Sequence, residues 1–149
     1  MTDENARTYP PVNTGGNKRV LVIDDMHVML DLVEIMLQME GYEVVTATDV
    51  PTALEHIEKT CPDLILLDMM MPKMSGNDFI QQFRQRHCQN VSAPIILLTV
   101  KLYTEDEIER LGVAGYLRKP FHRKELVDKL NELLGDPSDS ASKRPGILL

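Results

Sequence analysis

The sequence predicts an α/β fold, with five parallel strands in one doubly wound sheet and helices on both faces. Three observations predict it. Apolar runs alternate with amphipathic helical patterns five times along the chain. The runs at 64–67 and 94–98 show no polar alternation, as strands buried on both faces require. Four of the runs also stop abruptly at a charged or hydroxyl residue, where open α/β sheets place their ligands. Right-handed crossovers between such strands give three layers.

Residues 1–17 are polar, contain Pro10-Pro11 and Gly15-Gly16, and are expected to be a disordered tail. The segment GGNK (15–18) precedes a strand rather than following one, so it is not read as a phosphate loop. The first strand, 19–23, ends in Asp24-Asp25. A helix follows over 27–40, where Val28, Leu32, Ile35, Met36 and Met39 form a single amphipathic stripe expected to face the core. Gly41 stops it at the C′ position. Residues 42–47 alternate in part and predict an edge strand. The next helix, 50–59, has Pro51 in its first turn and turns Ala53, Leu54 and Ile57 inward before Cys61-Pro62 breaks it.

The third strand, 64–67, ends at Asp68, and a turn with Pro72 and Gly76 follows. A helix from Ser75 or Gly76 to Arg86 buries Phe79, Ile80 and Phe83, and a loop leads into the strand at 94–98, which ends in Thr99. Residues 103–111 form a short acidic helix anchored by Ile108 and Leu111. The fifth strand, 114–118, ends in Lys119-Pro120, and the last helix, 123–134, turns Leu126, Val127, Leu130, Leu133 and Leu134 inward. Residues 136–149 form a second polar tail, expected to be disordered, with an apolar tip at Ile147, Leu148 and Leu149. One domain, 18–135, accounts for the folded chain, and no repeat is visible.

Composition narrows the function. The 149 residues are 43% hydrophobic and 26% charged, ordinary values for a globular domain. A net charge of −7 without a strong basic patch argues against nucleic acid as a ligand. The densest basic cluster is Arg118, Lys119, Arg123 and Lys124. Cys61 and Cys88 have no metal-like or redox spacing and read as free thiols in a reducing compartment. No apolar run approaches the ~20 residues of a membrane span, and the N-terminus has no hydrophobic signal core, so a cytoplasmic location is expected.

The strand ends hold the chemistry. If the strand order is 2-1-3-4-5, Asp24, Asp25 and Asp68 converge where the topology reverses, with Thr99 and Lys119 on the next strands. Taken singly, each has an ordinary reading: Asp24-Asp25 as a helix cap, Asp68 as a turn cap, Thr99 as a turn residue, Lys119 as a solvated charge. Together they are far more specific. Three acids and one lysine leave a surplus of negative charge, which either a proton or a divalent cation relieves. An oxygen-only shell suits Mg²⁺. A lysine and a hydroxyl beside Mg²⁺ are what a phosphoryl group needs, and Asp68 can then attack phosphorus to form an acyl phosphate.

The motifs VLVIDD (20–25), DLILLDMMMPKMSG (63–76), PIILLT (94–99) and GYLRKPF (115–121) resemble those of response regulator receiver domains of two-component signalling. The resemblance covers about 18–135 and implies a flavodoxin-like fold. It implies a phosphoryl group passed to Asp68 from a histidine on a kinase or phosphotransfer protein. It further implies Mg²⁺ held by Asp25 and Asp68, by Asp24 directly or through water, and by the backbone carbonyl of Met70. Lys119 would pair with the phosphoryl oxygens, and its bond to Pro120 is expected to be cis. Thr99 and Tyr116 would form a switch that alters a downstream partner's affinity for the face made by the fourth helix, fifth strand and fifth helix. A monomer or a phosphorylation-dependent dimer, without direct nucleic-acid or membrane contact, is expected.

Some positions depart from the family pattern. Val100 stands where a small residue is usual, Lys101 adds a positive charge nearby, and Met70 offers no polar side chain. The stretch from Thr99 to Tyr116 is slightly short, so the fourth helix is expected to be short. Among rivals, a Mg²⁺-dependent phosphatase with an Asp nucleophile normally wants a second acid at position 70, which is Met70. A flavin binder wants a hydroxyl- and glycine-rich loop after the first strand, where DDMHV stands. A receiver-like interaction module that is never phosphorylated is opposed by the intact acid set. The expectation is a stand-alone receiver, with a piece of a longer regulator as the alternative.

Overall fold

The computed structural model describes residues 18–71, 76–85 and 93–135. Both tails, the turn around Pro72 and most of the loop before the fourth strand, Cys88 included, lie outside the described residues. Five strands alternate with five helices: β1 (Arg19–Ile23), α1 (His27–Met39), β2 (Glu43–Ala47), α2 (Val50–Thr60), β3 (Leu64–Asp68), α3 (Gly76–Arg84), β4 (Ile95–Thr99), α4 (Glu105–Leu111), β5 (Gly115–Arg118) and α5 (Arg123–Leu134). All pairings are parallel and the order is β2-β1-β3-β4-β5. The edge position expected of β2 is observed, and the topology reverses between β1 and β3.

Period-two strand geometry sends alternate residues to opposite faces. Leu21, Ile23, Ile65, Leu67, Ile95 and Leu97 pack on one side with Ala53, Leu54 and Ile57 of α2 and Phe79, Ile80 and Phe83 of α3. Val20, Val22, Leu64, Leu66, Ile96 and Leu98 pack on the other with Leu30, Val33 and Leu37 of α1 and Leu126 and Leu130 of α5. Every residue of β3 and β4 is buried, which explains why those runs carry no polar alternation. Asp49 caps α2 by accepting from the Thr52 amide at 2.8 Å. Thr104 and Glu107 form a capping box on α4, and Gly112 closes that helix at φ +73°. Helix α4 is short, as expected, but begins after Tyr103 and buries no residue of its own. Ile108 and Leu111 are its half-buried anchors against the core.

Two expectations are corrected. In α1 the core-facing residues are Leu30, Val33 and Leu37, whereas Val28, Leu32, Ile35 and Met39 are exposed and only Met36 is half-buried. The helix has two apolar sides, and packing against the sheet selects the one that periodicity did not favour. Cys61 is disulfide-bonded, so it is not the free thiol expected from its spacing. The thiol argument for a reducing compartment does not survive that bond.

Gly76 opens α3 in a buried position. A β-carbon there would lie 2.1 Å from the Met69 sulfur. That sulfur lies near the free end of a flexible side chain that can swing aside, so the Gly76→Ala variant is expected to lose less than about 1 kcal/mol of stability, read as a nearly unchanged denaturant midpoint.

Candidate functional site

The sheet register carries the predicted groups to one rim. Asp24 follows β1 directly, and its amide donates to the Ala47 carbonyl of β2 at 3.1 Å. Asp68 is the last residue of β3, Thr99 the last of β4, and Lys119 follows β5. The Lys119 amide donates to the Thr99 carbonyl at 2.6 Å, so the ladder itself fixes the lysine beside the threonine. The Lys119–Pro120 peptide bond is cis, as the sequence resemblance implies.

Side chains meet accordingly. The Lys119 ammonium lies 3.2 Å from Asp24 Oδ2 and 3.5 Å from Asp68 Oδ1. Asp24, Asp68 and Thr99 are buried, whereas Asp25 is exposed. One oxygen from each of Asp24, Asp25 and Asp68 lies within 4.8 Å of the other two. The Asp24 carboxylate accepts from the Met26 amide at 3.0 Å, and Met26, at the N-cap position of α1, provides no side-chain cap. The helix-cap reading of Asp24-Asp25 therefore falls away. Asp68 does accept from the Met70 amide at 3.0 Å, so the turn-cap role and the ion pair with Lys119 coexist on one carboxylate.

Electrostatics set Asp68 apart. Burial pushes its carboxyl above the usual carboxylate range, and the nearby Asp24 adds to this. The Met70 amide and the Lys119 ammonium oppose the rise without cancelling it. An acid held this way gains from any added positive charge. The three carboxylates form a hard, oxygen-only donor set, which fits Mg²⁺ rather than a softer metal.

The surroundings also have definite places. The Thr99 hydroxyl accepts from the Lys101 amide at 3.0 Å. Tyr116 is half-buried, with its ring 5.3 Å from that of Tyr103. Val100 points outward, while its carbonyl accepts from Arg118 Nε at 3.2 Å. The Lys101 ammonium lies 4.7 Å from the Tyr103 ring centre and 3.9 Å from Glu107, so part of its charge is answered there. Met70 is exposed at the rim. Sequence reasoning named Met70 only for its carbonyl and passed over Met26, and both act here through their backbone amides. The Met26 and Met70 amides orient Asp24 and Asp68, and a main-chain donor leaves no mark in residue type.

Residues 20–131 match the family model for the response regulator receiver domain. The chain belongs to the response regulator receiver domain family. Receiver domains relay signals in two-component systems. The chain is 38% identical over 120 residues to the alkaline phosphatase synthesis transcriptional regulatory protein PhoP of Bacillus subtilis, covering 79% of this chain and 49% of PhoP. It is 36% identical over 118 residues to the transcriptional regulatory protein CpxR of Escherichia coli, covering 78% of this chain and 49% of CpxR. The receiver thus spans about half the length of these relatives. Among solved structures, the chemotaxis protein CheY4 of Vibrio cholerae superposes with a TM-score of 0.73 at 34% identity, covering 80% of this chain and all of that one. The response regulator TrrA of Thermotoga maritima, solved in complex with Mg(2+)-BeF, gives 0.68 at 34% identity, covering 78% of this chain and 99% of that one.

Proposed function

We propose that the domain accepts a phosphoryl group on Asp68 from a phosphorylated histidine of a kinase or phosphotransfer protein. The observation that carries this is the placement of a buried Asp68 within 3.5 Å of Lys119 and beside two further acids. An Asp68 carboxylate oxygen attacks phosphorus, the phosphorus–nitrogen bond to the donor imidazole breaks, and its electron pair returns to the imidazole nitrogen. Lys119 stabilises the charge that spreads over the phosphoryl oxygens. Asp24, Asp25, Asp68 and the Met70 carbonyl would hold Mg²⁺, which supplies charge neutralisation to the transferring oxygens. That TrrA, a structure similar to this chain, was solved in complex with Mg(2+)-BeF supports Mg²⁺ as the cation. The domain acts as a signalling acceptor that assists its own phosphorylation and dephosphorylation. It acts in the cytoplasm, a reading supported by the lack, among the described residues, of a helix long and apolar enough to cross a membrane.

The new charge on Asp68 draws the Thr99 hydroxyl away from the Lys101 amide, and Tyr116 turns inward behind it. The surface of α4, β5 and α5 then changes its affinity for a downstream protein or for a second phosphorylated copy. The short, doubly capped α4 suits this role, because it buries no side chain and can shift as a unit. Incubation with Mg²⁺ and acetyl phosphate, followed by intact mass measurement, tests the proposal. A gain of one phosphoryl group is expected, and no gain while a control receiver is phosphorylated would refute it.

Met70 sets the lifetime of that state. Its exposed thioether cannot orient a water toward the acyl phosphate. The Met70→Asn variant is expected to lose its phosphoryl group several-fold faster, about 1 kcal/mol in barrier, in a decay time course. Equal decay of the two proteins would remove Met70 from this role.

A further inference from the structure

Tyr103 is the hub of the segment that leads from β4 into α4. Its ring lies 5.3 Å from that of Tyr116, tilted by 59°. The Lys101 ammonium lies 4.7 Å from the centre of the same Tyr103 ring. Both tyrosines pack against the core cluster that holds Ile95 and Leu97 of β4. Lys101 is also held by its backbone, because its amide donates to the Thr99 hydroxyl at 3.0 Å. Glu107 completes the group. One of its oxygens accepts from the Thr104 amide at 2.9 Å and closes the capping box, and the other lies 3.9 Å from the Lys101 ammonium. Thr99 and Tyr116 are thereby joined through Lys101 and Tyr103, which lie outside all four motifs that mark the family.

Given Asp68 as the phosphoryl acceptor, as proposed above, we infer that Tyr103 is a positioning residue. It holds Thr99 and Tyr116 in the arrangement described and so sets how readily the domain switches when Asp68 is loaded.

The contacts differ in weight. The side chains of Lys101 and Glu107 are 58% and 34% exposed, and an exposed ion pair contributes little. A tilted aromatic pair attracts beyond what burial alone supplies, and a cation over the ring adds to it. Both ring contacts meet on Tyr103, and both depend on its aromatic face rather than on its hydroxyl. Drawing the Thr99 hydroxyl off the Lys101 amide pulls on the residue whose ammonium covers Tyr103. Turning Tyr116 inward separates the two rings. Each movement costs a contact that Tyr103 makes. Helix α4 buries no residue of its own, so it adds little resistance and the ring contacts set the balance. A ligand that needs the switched arrangement binds with an affinity reduced to the fraction of molecules already in it. Weakening the Tyr103 contacts raises that fraction.

Beryllium fluoride with saturating Mg²⁺, the combination present in the TrrA structure, is the probe. It is titrated into the full chain and followed by the Lys101 amide signal in NMR. Tyr103→Leu keeps apolar bulk and removes the aromatic face, whereas Tyr103→Phe keeps the face. The half-saturation concentration of Tyr103→Leu is expected to fall by roughly two- to tenfold, the scale of one aromatic pair. Tyr103→Phe should match the wild type. Without ligand, the Lys101 amide signal of Tyr103→Leu should already stand part-way toward its bound position. A side chain that only supports the fold would not tighten binding when lost, because a destabilised domain binds no more strongly. A half-saturation concentration for Tyr103→Leu equal to or above that of a responsive wild type would overturn the role of Tyr103 and leave the acceptor reading intact. A wild type that neither binds beryllium fluoride nor gains a phosphoryl group would overturn both.

Discussion

Replacing Asp68 with asparagine is expected to abolish phosphorylation and to stabilise the fold at neutral pH. The first effect follows because the amide is no nucleophile toward phosphorus. The second follows from the site's charge. Asp68 is buried beside Asp24, and its carboxyl titrates above its ordinary value of 3.8. A raised folded-state pKa means that the fold prefers the protonated acid. The associated stability is complete below the unfolded value and is lost as pH rises through the folded one. Asparagine suffers no such loss, so wild type and variant should match in strong acid and diverge as pH climbs out of it. At pH 7 the variant should be more stable by on the order of 1 kcal/mol in metal-free buffer. Lys119 keeps Asp24 as its partner at 3.2 Å, so the substitution does not strand the ammonium. Chemical denaturation in EDTA across the acid range measures this directly. A variant less stable than wild type at neutral pH would contradict the charge assignment.

Lys119→Met should move two quantities in opposite directions. Removing the ammonium leaves Asp24 and Asp68 without their shared cation, and both are buried. Breaking such a buried arrangement costs about 3 kcal/mol, visible as a lower melting midpoint in EDTA. Mg²⁺ should bind the variant more tightly, because no ammonium competes for the same carboxylates, and should restore part of the lost stability. Phosphorylation by acetyl phosphate should nonetheless fall by roughly a hundredfold, the scale on which losing one preorganised charge donor acts. Titration calorimetry with Mg²⁺ and a phosphorylation time course separate the two effects. A variant with weakened Mg²⁺ binding and unchanged phosphorylation would show that Lys119 serves the metal, not the phosphoryl group.

Much of this was legible in the sequence, for identifiable reasons. A strand buried on both faces must be apolar throughout, so 64–67 and 95–98 marked the centre of the sheet. A parallel sheet puts all strand ends on one rim, so Asp24, Asp68, Thr99 and Lys119 could be placed together before any coordinates. What was not legible depends on tertiary choice. In α1, periodicity revealed the strip through Val28 and Met39 but could not tell which apolar side meets the sheet. The disulfide at Cys61 left no trace either, because spacing along the chain does not report the Cα separation that a disulfide needs. The start of α4 was missed by two residues, since the capping box of Thr104 and Glu107 was not read as its signal.

Four groups at the rim come from four separate strands, and none comes from a helix. Chemistry and address are thus written in different parts of the molecule. The main-chain ladder holds the reacting groups whatever the outer faces of the helices become. The exposed faces of the helices can change in sequence without moving the rim groups, so the ladder and the outer surface are free to vary independently.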